Sequence, residues 1–154
     1  MEEYRSEKII INDYSFLKNT DFKKEKDLKE FIMFNIDKFV KVQLEDKLIN
    51  AYDEYQIIDQ VYFGPRNRRI DIYLECKKHN YIIELKNPKY KSENTKALGQ
   101  LLNYARQFSD SKKKMVLITT FFDIETAKTI EYYKLPIKYI YFSKNVTLEY
   151  GGQR

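Results

Sequence analysis

The stretch Ile70–Lys86, IDIYLECKKHNYIIELK, constrains the chain more than any other. Two short runs rich in β-branched and aromatic residues flank the polar KKHN, the pattern of a β-hairpin. Side chains alternate along a strand. Ile70, Ile72, Leu74 and Cys76 are therefore expected on one face, and Asp71, Tyr73 and Glu75 on the other. In the second run Tyr81, Ile83 and Leu85 share a face, opposite Ile82, Glu84 and Lys86. An even loop centred on KKHN places Asp71 across from Glu84 or Lys86, whereas an odd loop places it across from Leu85. The even register is the expectation.

Opposed carboxylates repel, and sheets normally avoid them. A divalent cation removes the difficulty, because hard ions such as Mg²⁺ take oxygen ligands and often use one or two carboxylates plus water. Lys86 shares the face of Glu84 and can stabilise charge developing on a phosphate or orient a water. Carboxylates, cation and water together are the parts of metal-assisted phosphodiester hydrolysis. A strand reading Ile-Glu-Leu-Lys is also how a solvated edge strand would look.

Around the hairpin the chain alternates between helical and strand patterns. EKIIIND suits a short strand, and Leu28, Phe31, Ile32, Ile36, Phe39 and Val40 recur at helical spacing between Glu25 and Lys41, with Asp21 as a candidate cap. DEYQIIDQVYF reads as a strand and GPRNR as a turn. After the hairpin, KALGQLLNYARQF is helical, capped by Asn94 or Thr95. MVLITTFF has the all-apolar character of a strand buried on both faces. Asp123 caps a helix through IETAKTIEYYK, Pro136 ends it, and IKYIYF and VTLEY are further strands. The order predicts an α/β fold, a mixed central β-sheet flanked by helices.

The 154 residues suffice for one domain, 1–154, with a core over about 25–120 and a C-terminal helix and strands over 123–150. With 43% hydrophobic and 33% charged residues the chain reads as globular. No apolar run nears the roughly 18 residues of a membrane helix. The acidic, polar start MEEYRSEKII differs from a secretory leader, and the single Cys76 offers no internal disulfide, so a cytoplasmic, reducing setting without membrane contact is expected. The net charge of +5 suits a nucleic-acid partner. The abundance of Lys, Ile, Tyr, Phe and Asn also fits AT-rich coding, so charge alone carries no inference.

An Asp opening one strand and Glu-x-Lys in the next, here Asp71 and Glu84-Leu85-Lys86, resemble the PD-(D/E)xK nuclease superfamily. Ile70 stands where the name of the motif has proline, a substitution many members show. Gln100 and Tyr104, one helical turn apart in ALGQLLNYA, are similar to the Gln-xxx-Tyr motif of the RecB-like, Cas4-like and NucS-like branch. RNRRIDIYL is similar to the Arg-Ile-Asp entry of the NucS-like group.

The resemblance implies a restriction-endonuclease-like core of order α-β-β-β-α-β and a Mg²⁺- or Mn²⁺-dependent deoxyribonuclease. It implies that Asp71, Glu84 and the Leu85 carbonyl bind metal and that Lys86 positions water or stabilises the phosphate. Gln100 and Tyr104 would orient Lys86 and the phosphate. Many members add an acid on the first helix; at about 100° per residue Glu25 falls within the arc of Leu28, Ile32 and Ile36, while Glu30 sits opposite. Glu25 is therefore the expected helix acid, holding a second ion or a water.

Arg66, Arg68, Arg69, Lys89, Lys91 and Lys112–Lys114 are candidate phosphate contacts on DNA. His79 lies in the hairpin turn, which argues against a histidine-based triad. Cys76 is expected to be a buried small hydrophobe, and the tyrosines to pack. The competing readings are a DNA-binding protein on a nuclease fold that does not cut, and a junction- or flap-specific endonuclease. The choice between them, and a homodimer, stay open at this level.

Overall fold

The computed structural model describes residues 8–11, 16–58, 67–90, 92–106, 113–145 and 147–150. The alternating runs form strands β1 (Lys8–Ile11), β2 (Phe16–Lys18), β3 (Leu48–Ile58), β4 (Asn67–Cys76), β5 (Asn80–Lys86), β6 (Lys113–Thr119), β7 (Phe121–Asp123), β8 (Ile137–Phe142) and β9 (Thr147–Tyr150). The helices are α1 (Glu25–Phe34), α2 (Ile36–Phe39), α3 (Ser92–Arg106) and α4 (Ile124–Tyr132). Seven strands make a mixed sheet in the order β1-β9-β8-β6-β5-β4-β3, and β2 pairs with β7 apart from it.

Strand alternation sorts the sheet's side chains into two layers. Ile72, Leu74, Tyr81, Ile83, Leu85, Val116, Ile118, Ile140 and Phe142 pack with Leu28, Phe31, Ile32 and Phe39 of α1 and α2. Ile82, Met115, Leu117, Tyr139 and Tyr141 pack with Ala97, Leu98 and Leu101 of α3 and Ile124, Ala127 and Ile130 of α4. Helices thus cover both faces, and β6 is apolar from Met115 to Ile118, where both of its faces are buried.

Several expectations are corrected. The helix expected from Glu25 to Lys41 breaks at Asn35 and ends in a π-helical turn, Val40–Leu44, closed by Glu45 in a left-handed conformation (φ 50°). Asp21 does not cap α1. Lys24 holds the cap position and donates its backbone N–H to Asp27 at 3.1 Å, while Asp21 accepts from the Lys144 backbone at 2.8 Å. Neither Asn94 nor Thr95 caps α3, which begins at Ser92; Asn94 is buried and donates to the Phe121 carbonyl at 2.6 Å. Asp123 does cap α4, accepting from the Glu125 backbone at 3.3 Å. GPRNR falls largely among residues outside the description. Among the described residues no helix is long and apolar enough to cross a membrane.

The hairpin turn is held from outside by Asp46, which the sequence pattern did not single out. Its carboxylate accepts from the Lys78 backbone (2.9 Å), the His79 backbone (3.0 Å) and the Tyr81 hydroxyl (2.9 Å). Burial would raise its pKa, but these bonds and one from the Lys47 backbone outweigh that and hold it below the usual carboxylate range. Cys76 beside it is buried, with its thiol pushed up to about 12 by burial and by the Asp46 charge.

Asp46→Ala is expected to cost about 2–3 kcal/mol in urea unfolding, since several donors lose a charged acceptor. A carboxylate with a depressed folded pKa stabilises above its unfolded value. The difference between the two proteins should therefore shrink as pH falls below about 4.

Candidate metal and phosphate site

The β4–β5 ladder runs Glu75↔Asn80, Tyr73↔Ile82 and Ile72↔Ile83, the even register. Continued by one step, it would set Asp71 directly against Glu84. It stops there instead. The Leu85 backbone N–H donates to the Asp71 carboxylate at 2.8 Å, so a side chain accepts the bond that a backbone carbonyl of β4 would otherwise take.

The alternation expected along β4 also fails at this point. Ile72, Leu74 and Cys76 pack toward α1, but Ile70 packs in the other layer with Tyr73 and Ile82. Asp71, expected on the face of Tyr73, instead lines a cleft of about 420 Å³ with Glu25, Lys26, Lys29 and Glu30 of α1, Asp53 and Glu54 of β3, and Leu85. The β3 partner shows the cause. Pairs Asp53↔Ile72 and Tyr55↔Ile70 bracket Glu54, which is level with Asp71 and has a left-handed backbone (φ 51°). Both strands change face at this step. Beyond it they continue as a two-stranded ribbon to Ile58↔Asn67, without β5.

Asp71, Glu84, Glu25 and Lys86 form one electrostatic group. Burial raises the Asp71 pKa, opposed by the Leu85 N–H and by the charges of Lys86 and Lys29. Burial and the neighbouring Asp71 push Glu84 up to about 8, with Lys86 opposing. The two carboxyls titrate as a pair, each favouring its protonated form more than an exposed acid would. Glu84 Oε1 is buried with no partner, and its Oε2 lies 3.8 Å from Lys86 Nζ.

Glu25 is the first residue of α1, exposed, and lines the cleft with Asp71 and Leu85. Its pKa is raised by burial first and Asp71 second, against Lys86 and a backbone hydrogen bond from Asn87. Glu30 is exposed, 3.9 Å from Lys26. Of the two helix acids, Glu25 is the one that interacts with Asp71 and Lys86.

These donors fit a hard divalent cation. All are carboxylates, and the orphaned Glu84 Oε1 lacks the partner that a buried oxygen normally has. Among the described residues no three His, Cys, Asp or Glu side chains form a ready-made cage.

The remaining sequence-derived residues divide. Gln100 lies exposed on α3, and the Tyr104 side chain is outside the description, as are Arg66, Lys91, Lys112 and the Arg68 side chain. Arg69 is exposed on the ribbon, 3.8 Å from Glu54. Lys89 is exposed, and Lys113 bonds the Tyr73 hydroxyl. Two residues at the site carried no motif. Asn87 donates to the Phe22 carbonyl at 2.9 Å and accepts from Thr120 at 2.6 Å, which fixes the backbone that reaches Glu25. Glu93 accepts from the Lys89 and Tyr90 backbones at 2.7 and 3.0 Å and interacts with both Lys86 and Glu25. The position of Asn87 directly after Glu-x-Lys was the only available signal for it.

No family model matches this chain, and no curated protein is similar enough in sequence to count as a relative.

A carboxyl whose folded pKa lies above its unfolded value binds protons more tightly when folded, so stability falls as pH rises between the two. In EDTA, unfolding free energy should decline from about pH 4.5 to about 8, by at most about 1.4 kcal/mol per pH unit. Glu84→Gln should flatten the decline in urea titrations at pH 5, 6.5 and 8. An equally steep decline in the variant would remove Glu84 as its source.

Proposed function

We propose that the protein is a metal-dependent nuclease that hydrolyses DNA phosphodiester bonds, built on a restriction-endonuclease-like core of the PD-(D/E)xK kind. The observation that carries the reading is the adjoining pair of half-buried Asp71 and buried Glu84, in which Glu84 Oε1 has no partner and Oε2 lies 3.8 Å from Lys86 Nζ. A stability-driven sheet has no use for two adjoining buried carboxyls. A cation site does.

In this reading Asp71 and Glu84 hold Mg²⁺ or Mn²⁺, with the Leu85 carbonyl as a third oxygen ligand. A bound ion would neutralise phosphate charge and make water more acidic. Leu85 N–H fixes the Asp71 carboxylate, leaving its other oxygen for the ligand. Lys86, with its side chain 22% exposed, presents its ammonium to a phosphate oxygen and stabilises the charge that grows there. Glu25, raised in pKa and facing the same group, accepts a proton from a nearby water or helps hold a second ion. Gln100 and Tyr104 orient Lys86 and the scissile phosphate. Arg66, Arg68, Arg69, Lys89 and Lys91 contact the DNA backbone, positioning it without reading sequence.

Labelled linear and circular DNA should be degraded with Mg²⁺ or Mn²⁺ and spared with EDTA. Glu84→Gln should lower the rate by about 10³-fold, roughly 4 kcal/mol of barrier, while DNA binding in a gel-shift assay persists. Cutting of the circle would identify an endonuclease; cutting of the linear form alone, an enzyme that needs ends. Absence of cutting with either ion, or cutting unchanged in Glu84→Gln, would leave the DNA-binding reading.

A further inference from the structure

Lys29 lies one helical turn after Glu25, on the same side of α1, and its side chain is only 15% exposed. Its ammonium is 2.8 Å from Asp53 Oδ1 and 3.0 Å from Glu54 Oε1. Adjacent residues of a strand normally point to opposite faces. Here one lysine binds both, and that is possible because Glu54 has a left-handed backbone, a conformation that non-glycine residues rarely adopt. Burial works against the charge of Lys29, yet the two carboxylates more than offset it and raise its pKa.

The clamp sits where it can act on the site. Asp53 pairs with Ile72, and Glu54 is level with Asp71, so the two carboxylates mark the step at which β3 and β4 change face. Without that change, Asp71 would stay on the face of Tyr73, away from α1 and Glu25. Strain of this kind persists only where surrounding contacts over-determine it. Lys29 supplies two of these at 2.8 and 3.0 Å, and Arg69 adds a longer one at 3.8 Å to Glu54.

We infer that Lys29, through its paired bonds to Asp53 and Glu54, is a positioning residue that holds the β3–β4 kink and thereby turns Asp71 into the cation site. The inference rests on the proposed metal-binding role of Asp71 and concerns how that role is set up. Lys29 does not touch the reacting groups in this scheme, and its charge is neutralised by two anions, so it is not a phosphate ligand.

The test is Mn²⁺ affinity, read by electron paramagnetic resonance of free Mn²⁺ without DNA, at about 0.15 M salt to screen surface charge. The double variant Lys29→Met/Glu54→Gln removes one cation and one anion together, so the net charge is unchanged and the clamp is lost; loss of the Lys29 cation near Asp71 would by itself favour Mn²⁺, so weaker binding reports the lost clamp. This variant should bind Mn²⁺ at least tenfold more weakly than the unmodified protein. Lys29→Arg, which keeps the clamp, should stay within about threefold. In cleavage assays at saturating Mn²⁺ the double variant should lose kcat while KM for DNA holds. Glu54→Gly provides a counter-test, because glycine accepts the left-handed backbone without strain and Lys29 still binds Asp53. It should keep the kink and bind Mn²⁺ within about threefold of the unmodified protein. Unmodified affinity in the double variant, or a tenfold loss in Glu54→Gly, overturns the inference. Absence of Mn²⁺ binding by the unmodified protein overturns the metal-site reading itself.

Discussion

One hydrogen bond organises the centre of this molecule, from the Leu85 backbone to the Asp71 carboxylate. It ends the β4–β5 ladder, occupies a backbone donor that would otherwise be orphaned, and accompanies the turn of Asp71 into the cleft with Glu25. Each consequence needs the others. If β4 and β5 stayed zipped, Asp71 would stand on the opposite face; if the donor went unbonded, the splay would cost what a buried lost bond costs. The opening of the hairpin is therefore stabilised by the same carboxylate that it exposes.

The two layers of the core explain why the site survives this local disorder of pairing. Glu84 and Leu85 remain in register with Leu117 and Ile118 of β6, a strand buried on both faces. The loop after Lys86 is fixed by Asn87 and by the Thr120 backbone, which donates to the Lys86 carbonyl at 3.1 Å. Half of the site thus belongs to the buried centre of the sheet. The other half belongs to α1 and the β3–β4 ribbon, where ion pairs do the holding.

What the sequence disclosed, and what it hid, follows from the range of each interaction. Alternation over IDIYLEC and YIIELK is local, so the hairpin and its register were legible, as were β6 and the Asp123 cap. The α1 arc set Glu25 apart from Glu30, yet both are exposed and line the same cleft. The face change at Asp71 was not legible, because its cause is the left-handed Glu54 on another strand, and nothing about a glutamate announces φ 51°. Asp46 was hidden for the same reason: its partners Lys78, His79 and Tyr81 are more than 30 residues away. Asp21 and Asn94 looked like caps because their side chains are suited to capping, but the fold uses both to bond distant backbone. Gln100 was singled out only through the resemblance, and it lies exposed on α3.

The outermost strand carries one further implication. β3 has 11 residues and lies at one end of the sheet, the sort of long, open border along which chains can pair with copies of themselves. Its middle, however, bears two adjacent charged residues and a backbone twisted out of the extended form. A second sheet approaching that border would find its row of hydrogen-bonding groups interrupted and its charges already engaged by Lys29. The irregularity at Glu54 thus also works as protection against polymerisation.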